Sequence, residues 1–301
     1  MAGGQERVLR RRIRSVQSTK KITRAMELIA ASQIVRAQNR IVANRPYRRG
    51  MARIVLQAAK ADSRAAAKLL GTPESPSAVG ILAIVGDRGL SGAYNSSVFR
   101  ATERLAAEHV AAGRTVRLFT VGKKAPPYFR YRGMALERSF VGFNDRPTFA
   151  NAREVAAVAS QPFLSGEMDL LVMVSTRFVS AGSQSVAAQQ LLPLPLPETP
   201  EEVEEASGAP KGYISFEPDA EKLLAELTTQ AMESEIFSAM LEATAAFFTA
   251  QQRAMAAASD NADELIRTLS RIMNRARQDA ITTEILEIVG GAEALRHSKG
   301  A

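Results

Sequence analysis

Residues 255–276 have the sequence MAAASDNADELIRTLSRIMNRA. Apolar residues recur in it at intervals that alternate between three and four, the spacing of a left-handed coiled-coil seam. The seam positions are Met255, Ala258, Ala262, Leu265, Leu269, Ile272 and Ala276. The same phase continues backwards through Phe248, Leu241 and Phe237, with the polar residues Thr244 and Gln251 as interruptions.

This seam lies within residues 219–289, a stretch of 71 residues without glycine or proline. A helix through all of it is about 106 Å long at a rise of roughly 1.5 Å per residue, so another element must lie beside it. A long helix in a helical bundle fits the same pattern, and that alternative stays open at this point. Only one other segment of the chain has a comparable length.

The other long segment is residues 5–45, which also contain neither glycine nor proline. Its apolar residues fall at helical spacings, at Val16, Met26, Ala30, Ile34, Ala37 and Ile41. We expect this helix to run to about Lys68 with a kink or break near Pro46, because a proline inside a helix removes a donor and crowds the preceding turn.

Pairing between the two long helices is expected because a lone helix as polar as the first is marginally stable in water. Acidic residues of the last helix complement the basic first helix, namely Glu226, Glu233, Glu235 and Glu242. The two ends of the chain are therefore predicted to form one antiparallel rod.

Between the two long segments the pattern changes to alternating strands and helices, which indicates a parallel sheet covered on its faces. We predict strands at 79–85, 115–121 and 170–174, helices at 96–112 and 148–160, and an added antiparallel edge from 178–182 and 186–192. Residues 192–210 contain five prolines and five glutamates, which is typical of an exposed linker. A short strand at 213–216 and an N-cap at Asp219 are predicted to lead into the last helix.

The predicted fold class is thus α/β plus a long coiled coil, an antiparallel two-helix rod from the N- and C-termini with an inserted Rossmann-like α/β domain. Residues 1–70 form the first shaft helix. Residues 76–210 form the α/β foot with its Pro/Glu-rich linker. Residues 211–301 form the second shaft helix.

The positive charge of the chain is concentrated in its first segment. The net charge is +8, but residues 1–53 hold 14 Arg and Lys against Glu6 and Glu27, a net +12, so the remainder sums to −4. A basic helical segment fits a nucleic-acid-binding protein, which is the alternative function. Against it, residues 1–70 contain one aromatic residue, Tyr47, and no recognised nucleic-acid-binding motif.

Composition excludes several kinds of site. With no cysteine the chain has no disulfide, thiolate metal site or cysteine nucleophile, and its two histidines disfavour a histidine metal site or triad. No apolar run approaches the roughly 20 residues of a membrane span, so a soluble or peripheral protein is expected. The amino terminus lacks a hydrophobic signal core and the serine richness of a transit peptide, which favours the cytoplasm.

The Rossmann-like module invites an enzyme hypothesis, which its loops do not support. Gly86, Gly89 and Gly92 lie three apart and do not match GxGxxG, and Gly122-Lys123 lacks the first glycine of a phosphate loop, because Arg117 stands there. Asp87-Arg88 follows the first strand at the edge where ligands bind in such sheets. A turn in which these two side chains satisfy the backbone and each other is the favoured interpretation, and no cofactor is predicted.

Several separated stretches resemble the gamma subunit of F-type ATP synthases, the central rotor shaft. Residues 21–32 (KITRAMELIAAS) resemble the amino-terminal signature of that family, residues 87–92 (DRGLSG) its central motif, and Tyr213 with 217–219 (EPD) its hinge into the last helix. The most specific stretches are 274–284 (NRARQDAITTE) and 287–292 (EIVGGA). The resemblance runs from about Arg7 to Leu295 in the order of the family.

The resemblance implies a non-catalytic shaft that stands inside a ring of three alpha and three beta subunits. Its α/β foot would contact the epsilon subunit and the membrane ring of c subunits, so membrane association is indirect, at the cytoplasmic face of the cell membrane. The positions that grip a loop of the beta subunit in the family are matched here by Arg277, Gln278, Thr282 and Glu284. For these four, the alternative interpretation is a solvated helix face.

Two further surfaces follow from the same resemblance. An apolar tip that bears against the ring would consist of Ile281, Ile285, Ile288 and Val289, with Leu286. Packing of these side chains against the first helix is the alternative. A basic shaft face that meets acidic loops of the ring would consist of Lys20, Lys21 and Arg24, with a plain solvated surface as the alternative. Deletion beyond Val289 is expected to weaken coupling more than folding, because the foot is expected to have its own core.

The chain also departs from the family pattern. Phe247 and Gln251 stand where a glutamate and, four residues later, an arginine are usual. Loss of both members of such a pair leaves no orphan charge, but it puts any partner contact of the pair in doubt. Asp279 replaces a small residue beside Arg277. The regulatory dithiol of chloroplast members is impossible in a chain without cysteine.

Overall fold

The computed structural model describes residues 2–61, 70, 73, 75–195 and 220–298. The chain groups into two compact units, one of Ala30–Gln251 and the other of Met1–Ile29 with Gln252–Ala301. Both units contain parts of the two longest helices, α1 (Ala2–Ala61) and α5 (Ala220–Ser298). The predicted division at residues 70, 76 and 211 stays a prediction.

The Ala30–Gln251 unit is built around one five-stranded sheet. Its strands are β1 (Ala78–Ile84), β2 (Thr115–Val121), β3 (Arg138–Phe140), β4 (Leu170–Phe178) and β5 (Gln184–Leu192), in the spatial order β3-β2-β1-β4-β5. All neighbours pair in parallel except β4 and β5, which are antiparallel. The helices between them are α2 (Tyr94–Ala111), α3 (Ala125–Tyr131) and α4 (Phe149–Leu164).

The predicted strands at 79–85, 115–121 and 170–174 and both predicted helices are confirmed. The predicted edge at 178–182 is wrong, because β4 continues to Phe178 and residues 179–183 turn the chain into β5. Helix α3 and strand β3 were not predicted. Strand β3 has only three residues, too few to show the alternation of apolar and polar residues that indicates a strand. The two prolines of α3 suggested a loop, but they lie in the first turn of the helix, where their missing N–H groups would have no helical partner.

Each face of the sheet has its own core. One face packs against α2 and α3 through a cluster that includes Val98, Phe99 and Phe129. The other face packs against α4 and also against α5, which contributes Met232, Ile236, Ala239, Met240 and Ala243. The expectation that the foot has its own core is confirmed for the first face, whose cluster lies entirely within residues 79–186, whereas a segment of the last helix completes the core on the second face.

Within this unit α1 and α5 pair antiparallel. Met51 and Val55 share a cluster with Leu227 and Ala231, whereas Ala37 and Ile41 share one with Leu241 and Ala245. Residue numbers therefore rise along one helix as they fall along the other. Of the six apolar residues whose spacing predicted the first helix, Ala30, Ile34, Ala37 and Ile41 are buried, whereas Val16 and Met26 are half-buried.

A break at Pro46 is wrong, because α1 is helical through that residue, and the predicted kink there stays a prediction. A helix tolerates one missing backbone donor where a neighbouring helix holds it in place. Here Arg48, two residues after Pro46, binds Glu235 of α5 through two hydrogen bonds of 2.6 and 2.9 Å. Of the other acidic residues predicted to face α1, Glu233 lies 3.6 Å from Arg153 of α4, and Glu242 accepts a hydrogen bond from the backbone of Phe178. Glu226 is exposed.

In the unit of Met1–Ile29 with Gln252–Ala301 the two helices again pair antiparallel. The Thr23 hydroxyl lies 2.7 Å from that of Ser259 and is buried with it, and Lys20 pairs with Asp263 at 2.6 Å. Met255, Ala262 and Leu269 of the predicted seam are buried, but Leu265 and Ile272 are 40% and 46% exposed. Ser259 takes a buried place that the pattern had assigned to its apolar neighbour Ala258, because its hydroxyl finds a partner across the helix pair.

The predicted fold class, two long terminal helices paired antiparallel with an α/β module between them, is confirmed. The described residues include no helix with the length and apolar character needed to span a bilayer. Three predictions lie outside the described residues: the extension of α1 over 62–68, the strand at 213–216 and the N-cap at Asp219. The exposed linker predicted over 192–210 is wrong at its start, because Leu192 ends β5 and both Leu192 and Leu194 are buried, and from residue 196 it lies outside the described residues.

Candidate partner-binding site

The carboxy-terminal part of α5 carries the four predicted partner-binding side chains as two pairs, whose directions differ by roughly 130° around the helix axis. At about 100° per residue, Arg277 and Glu284 point within roughly 20° of one another, and Gln278 and Thr282 within roughly 40°. All four are exposed. Among the residues that the structure describes, none of these side chains has a hydrogen-bonding or ionic partner. The arrangement leaves one guanidinium, one amide, one hydroxyl and one carboxylate available to an external partner.

The predicted tip is apolar and exposed at the same time. Ile281, Ile285 and Ile288 are spaced at four and three and form one stripe, and they are 49%, 55% and 67% exposed. Val289 beside them is 56% exposed. Within the described residues these side chains therefore do not pack against the first helix, which was the alternative interpretation. An apolar stripe of this length in contact with water is typical of an interaction surface.

The predicted basic face is partly neutralised within the chain. Lys20 pairs with Asp263, and Arg24 pairs with Glu27 of the same helix at 2.7 Å. Lys21 is exposed. Both ion pairs lie at the surface, where such pairs stabilise by less than about 1 kcal/mol, so an acidic partner can compete for either cation.

The carboxyl edge of the sheet, the usual ligand position in this fold, is closed by the side chain of Asp87. Its carboxylate accepts hydrogen bonds from the backbone N–H groups of Lys123, Gly142 and Asn144 at 2.8, 3.2 and 3.1 Å. The predicted turn, in which Asp87 and Arg88 satisfy local backbone and each other, is wrong: the backbone groups bound by Asp87 lie 36, 55 and 57 residues further along the chain, and Arg88 pairs with Asp145. Among the described residues no group of three acidic or histidine side chains is arranged to hold a metal ion.

Phe247 is a functional candidate whose role the sequence did not reveal. It is 5% exposed and meets Tyr94 edge to face, with ring centroids 5.5 Å apart. A Cβ atom on Gly86 would lie 3.0 Å from the Phe247 ring, so the glycine makes room for it. Gln251 is also buried, at 6% exposure. The one sequence signal was that Phe247 stands where the family usually has a glutamate. An aromatic residue at such a position is compatible with many environments, so the signal did not reveal the contact with Gly86 and Tyr94.

Comparison with known proteins bears on the identity of this chain. A family model described as ATP synthase matches residues 5–295. An ATP synthase gamma chain of Frankia casuarinae is 44% identical over 298 residues, covering 97% of this chain and 98% of the relative. One from Streptomyces coelicolor is 44% identical over 300 residues, covering 97% of each chain.

Solved structures agree with these relatives. A chain in the central stalk and c-ring structure of the Tetrahymena thermophila mitochondrial ATP synthase superposes with a TM-score of 0.61 at 25% identity, covering 79% of this chain and 99% of that one. A chain of the Euglena gracilis mitochondrial ATP synthase superposes with a TM-score of 0.68, covering 99% of this chain and 97% of that one. Its 17% identity supports the fold alone.

The two long paired helices, the inserted mixed sheet and the exposed helix end are the architecture of a mechanical subunit. The chain belongs to the family of ATP synthase gamma chains. Its role is that of the central rotor shaft, and it does no chemistry itself.

Proposed function

We propose that the chain couples rotation of a membrane c ring to the catalytic sites of an alpha–beta ring, through the exposed end of α5. Arg277, Gln278, Thr282 and Glu284 bind a loop of the beta subunit, and the stripe of Ile281, Ile285 and Ile288 with Val289 bears against the apolar inner surface of the ring. The observation that carries this proposal is that eight side chains required for the two contacts are all exposed in the isolated chain.

The remaining contacts complete the path of the torque. Lys20, Lys21 and Arg24 meet acidic loops of the alpha–beta ring, where exchange of ion-pair partners costs little. The α/β foot contacts the epsilon subunit and the c ring. The chain is therefore peripheral, at the cytoplasmic face of the cell membrane, and its association with the membrane is indirect.

Such a shaft works by making different contacts with identical catalytic subunits. A shift of a two-state subunit from 1:99 to 99:1 requires about 5.5 kcal/mol of differential contact free energy, which several charge-assisted hydrogen bonds supply together. The coupling is reciprocal, so a shaft that biases nucleotide affinity is itself turned by nucleotide binding.

Truncation of α5 tests the proposal. Removal of the residues after Val289 is expected to lower ATP-driven proton pumping by the assembled complex, and removal of those after Ala280 is expected to lower it further, because it takes away the apolar stripe, Thr282 and Glu284. The free energy of unfolding is expected to change by less than about 0.5 kcal/mol, since the side chains that are lost and described are exposed. Pumping by vesicles and urea unfolding of the isolated chain are the two measurements. A truncation that lowers the free energy of unfolding along with the pumping rate would contradict the proposal, because the loss of pumping would then follow from unfolding.

The nucleic-acid alternative gains no support from the structure. At least four cations of the basic segment, Arg10, Lys20, Arg24 and Arg48, are already held in ion pairs. Duplex binding at nanomolar affinity in physiological salt is the observation that would revive it.

A further inference from the structure

The sheet edge closed by Asp87 is tied to helix α5 by directed polar contacts. The Thr244 hydroxyl of α5 lies 2.7 Å from the carbonyl oxygen of Asn144 and 2.7 Å from that of Met240, one turn earlier in its own helix. Asn144 is itself fixed twice, because its backbone N–H donates to Asp87 and its side-chain amide donates to the Val85 carbonyl. The carboxylate of Asp87 therefore positions the group that α5 binds.

The same edge holds α5 by an aromatic contact. The Phe247 ring lies against Gly86, whose N–H donates to the Asn95 side chain at 2.8 Å, and against Tyr94 at the start of α2. Tyr94 is 7% exposed, and burial raises the pKa of its hydroxyl above the ordinary value. Asn95 also donates to the Arg88 carbonyl, so the loop after β1 is fixed before it meets the helix.

Two other directed contacts join α5 to the sheet, because Glu242 accepts a hydrogen bond from the Phe178 N–H of β4 at 3.2 Å and Glu235 accepts one from the Gln189 amide of β5 at 3.1 Å. The core contacts in the part of α5 before Thr244 are apolar and involve Met232, Ile236, Met240 and alanines. Such apolar contacts are non-directional and adapt readily when a helix turns about its axis. A hydrogen bond to a carbonyl and a ring seated against a glycine are lost after a small rotation.

We propose that Thr244 and Phe247, seated on Asn144, Gly86 and Tyr94, form a clamp that fixes the rotational setting of α5 relative to the α/β foot and so transmits torque between them. The clamp residues are positioning residues, and the inference rests on the proposed function as a rotor. In this chain the edge that α/β enzymes use for ligands serves to grip the shaft helix.

The test uses the whole ATP synthase complex in vesicles and measures ATP hydrolysis and ATP-driven proton uptake on the same sample. We expect Phe247→Ala to lower the ratio of pumping to hydrolysis about five-fold, while hydrolysis itself changes little, because the foot slips on a helix that still turns. Phe248→Ala is the matched control. It removes the same ring at 4% exposure from the next position of α5, and Phe248 meets the ring of Phe247 but not that of Tyr94.

A second pair of variants guards against a folding defect. Thr244→Val keeps the shape of the side chain and removes the hydroxyl, and it is expected to lower the ratio about two-fold, whereas Thr244→Ser keeps the hydroxyl and the wild-type ratio. Equal ratios for the two alanine variants, or for the two Thr244 variants, would overturn the clamp. The wild-type chain is also added to an ATP synthase complex from which the gamma chain has been omitted. If it does not support pumping there, the proposed function is overturned together with the clamp.

Discussion

Gly122→Ala is expected to destabilise the Ala30–Gln251 unit by more than about 3 kcal/mol, one of the largest effects available from a single methyl group. Gly122 follows β2 with a φ of +111°, a conformation that side-chain-bearing residues rarely adopt. An added Cβ would collide with the backbone carbonyl of Val85 and lie 2.8 Å from the Asn144 amide. The backbone at this buried strand end cannot move away without breaking its own hydrogen bonds. The backbone strain and the steric collision therefore both destabilise the variant.

The matched control for this prediction is Gly113→Ala. Gly113 also has a positive φ, +75°, but an added Cβ there would meet no atom within 4 Å. Its expected cost is therefore only the backbone strain, about 1 kcal/mol. Urea unfolding of both variants measures the difference, and equal losses for the two glycines would show that the packing described around Gly122 is wrong.

The second large effect is expected at the exposed end of α5. The double variant Arg277→Ala, Gln278→Ala is expected to lower ATP turnover by the assembled complex about 30-fold, equivalent to a coupling free energy of about 2 kcal/mol. Both side chains are exposed, so the stability of the isolated chain is expected to change by less than about 0.5 kcal/mol. Steady-state hydrolysis and thermal unfolding give the two quantities.

Two variants sharpen this prediction. Arg267→Ala removes an exposed arginine of the same helix outside the proposed site, and turnover is expected to stay at the wild-type level. Arg277→Lys keeps the charge but not the planar fork of donors, so an intermediate turnover is expected if the partner is a carboxylate bound by two hydrogen bonds. Equal loss of turnover in Arg267→Ala and in the double variant Arg277→Ala, Gln278→Ala would contradict the proposed site, because only the net charge of the helix would then matter.

The fold was largely predictable because its signals are long and periodic. The absence of glycine and proline over residues 219–289 and the recurrence of Ala30, Ile34, Ala37 and Ile41 indicate helices that local context cannot override. Short elements carry no such signal, which is why β3 and α3 were missed. The break expected at Pro46 is absent because the ion pairs and apolar clusters that hold α1 to α5 stabilise the helix there. Those contacts join residues that are distant in sequence, so the local pattern around Pro46 could not reveal them.

The candidate site divides in the same way. The exposure of Ile281 and Ile285 could be anticipated only from the resemblance, since an apolar stripe in a sequence normally indicates a core. The buried pair Thr23–Ser259 and the seat of Phe247 on Gly86 could not be predicted, because each depends on side chains from segments more than 150 residues apart. Gly86 did stand out in the sequence, but as a possible phosphate loop rather than as room for a ring.

Rotation of this chain inside the alpha–beta ring can be observed directly. The chain has no cysteine, so Tyr131→Cys, at a position that is 87% exposed on the foot, would attach a single visible probe to a complex whose alpha–beta ring is fixed to a surface. With ATP, the account predicts that the probe turns in one direction and pauses at three positions per turn. A probe that stays still, or moves equally in both directions while ATP is hydrolysed, would contradict the assignment of this chain as the rotor shaft.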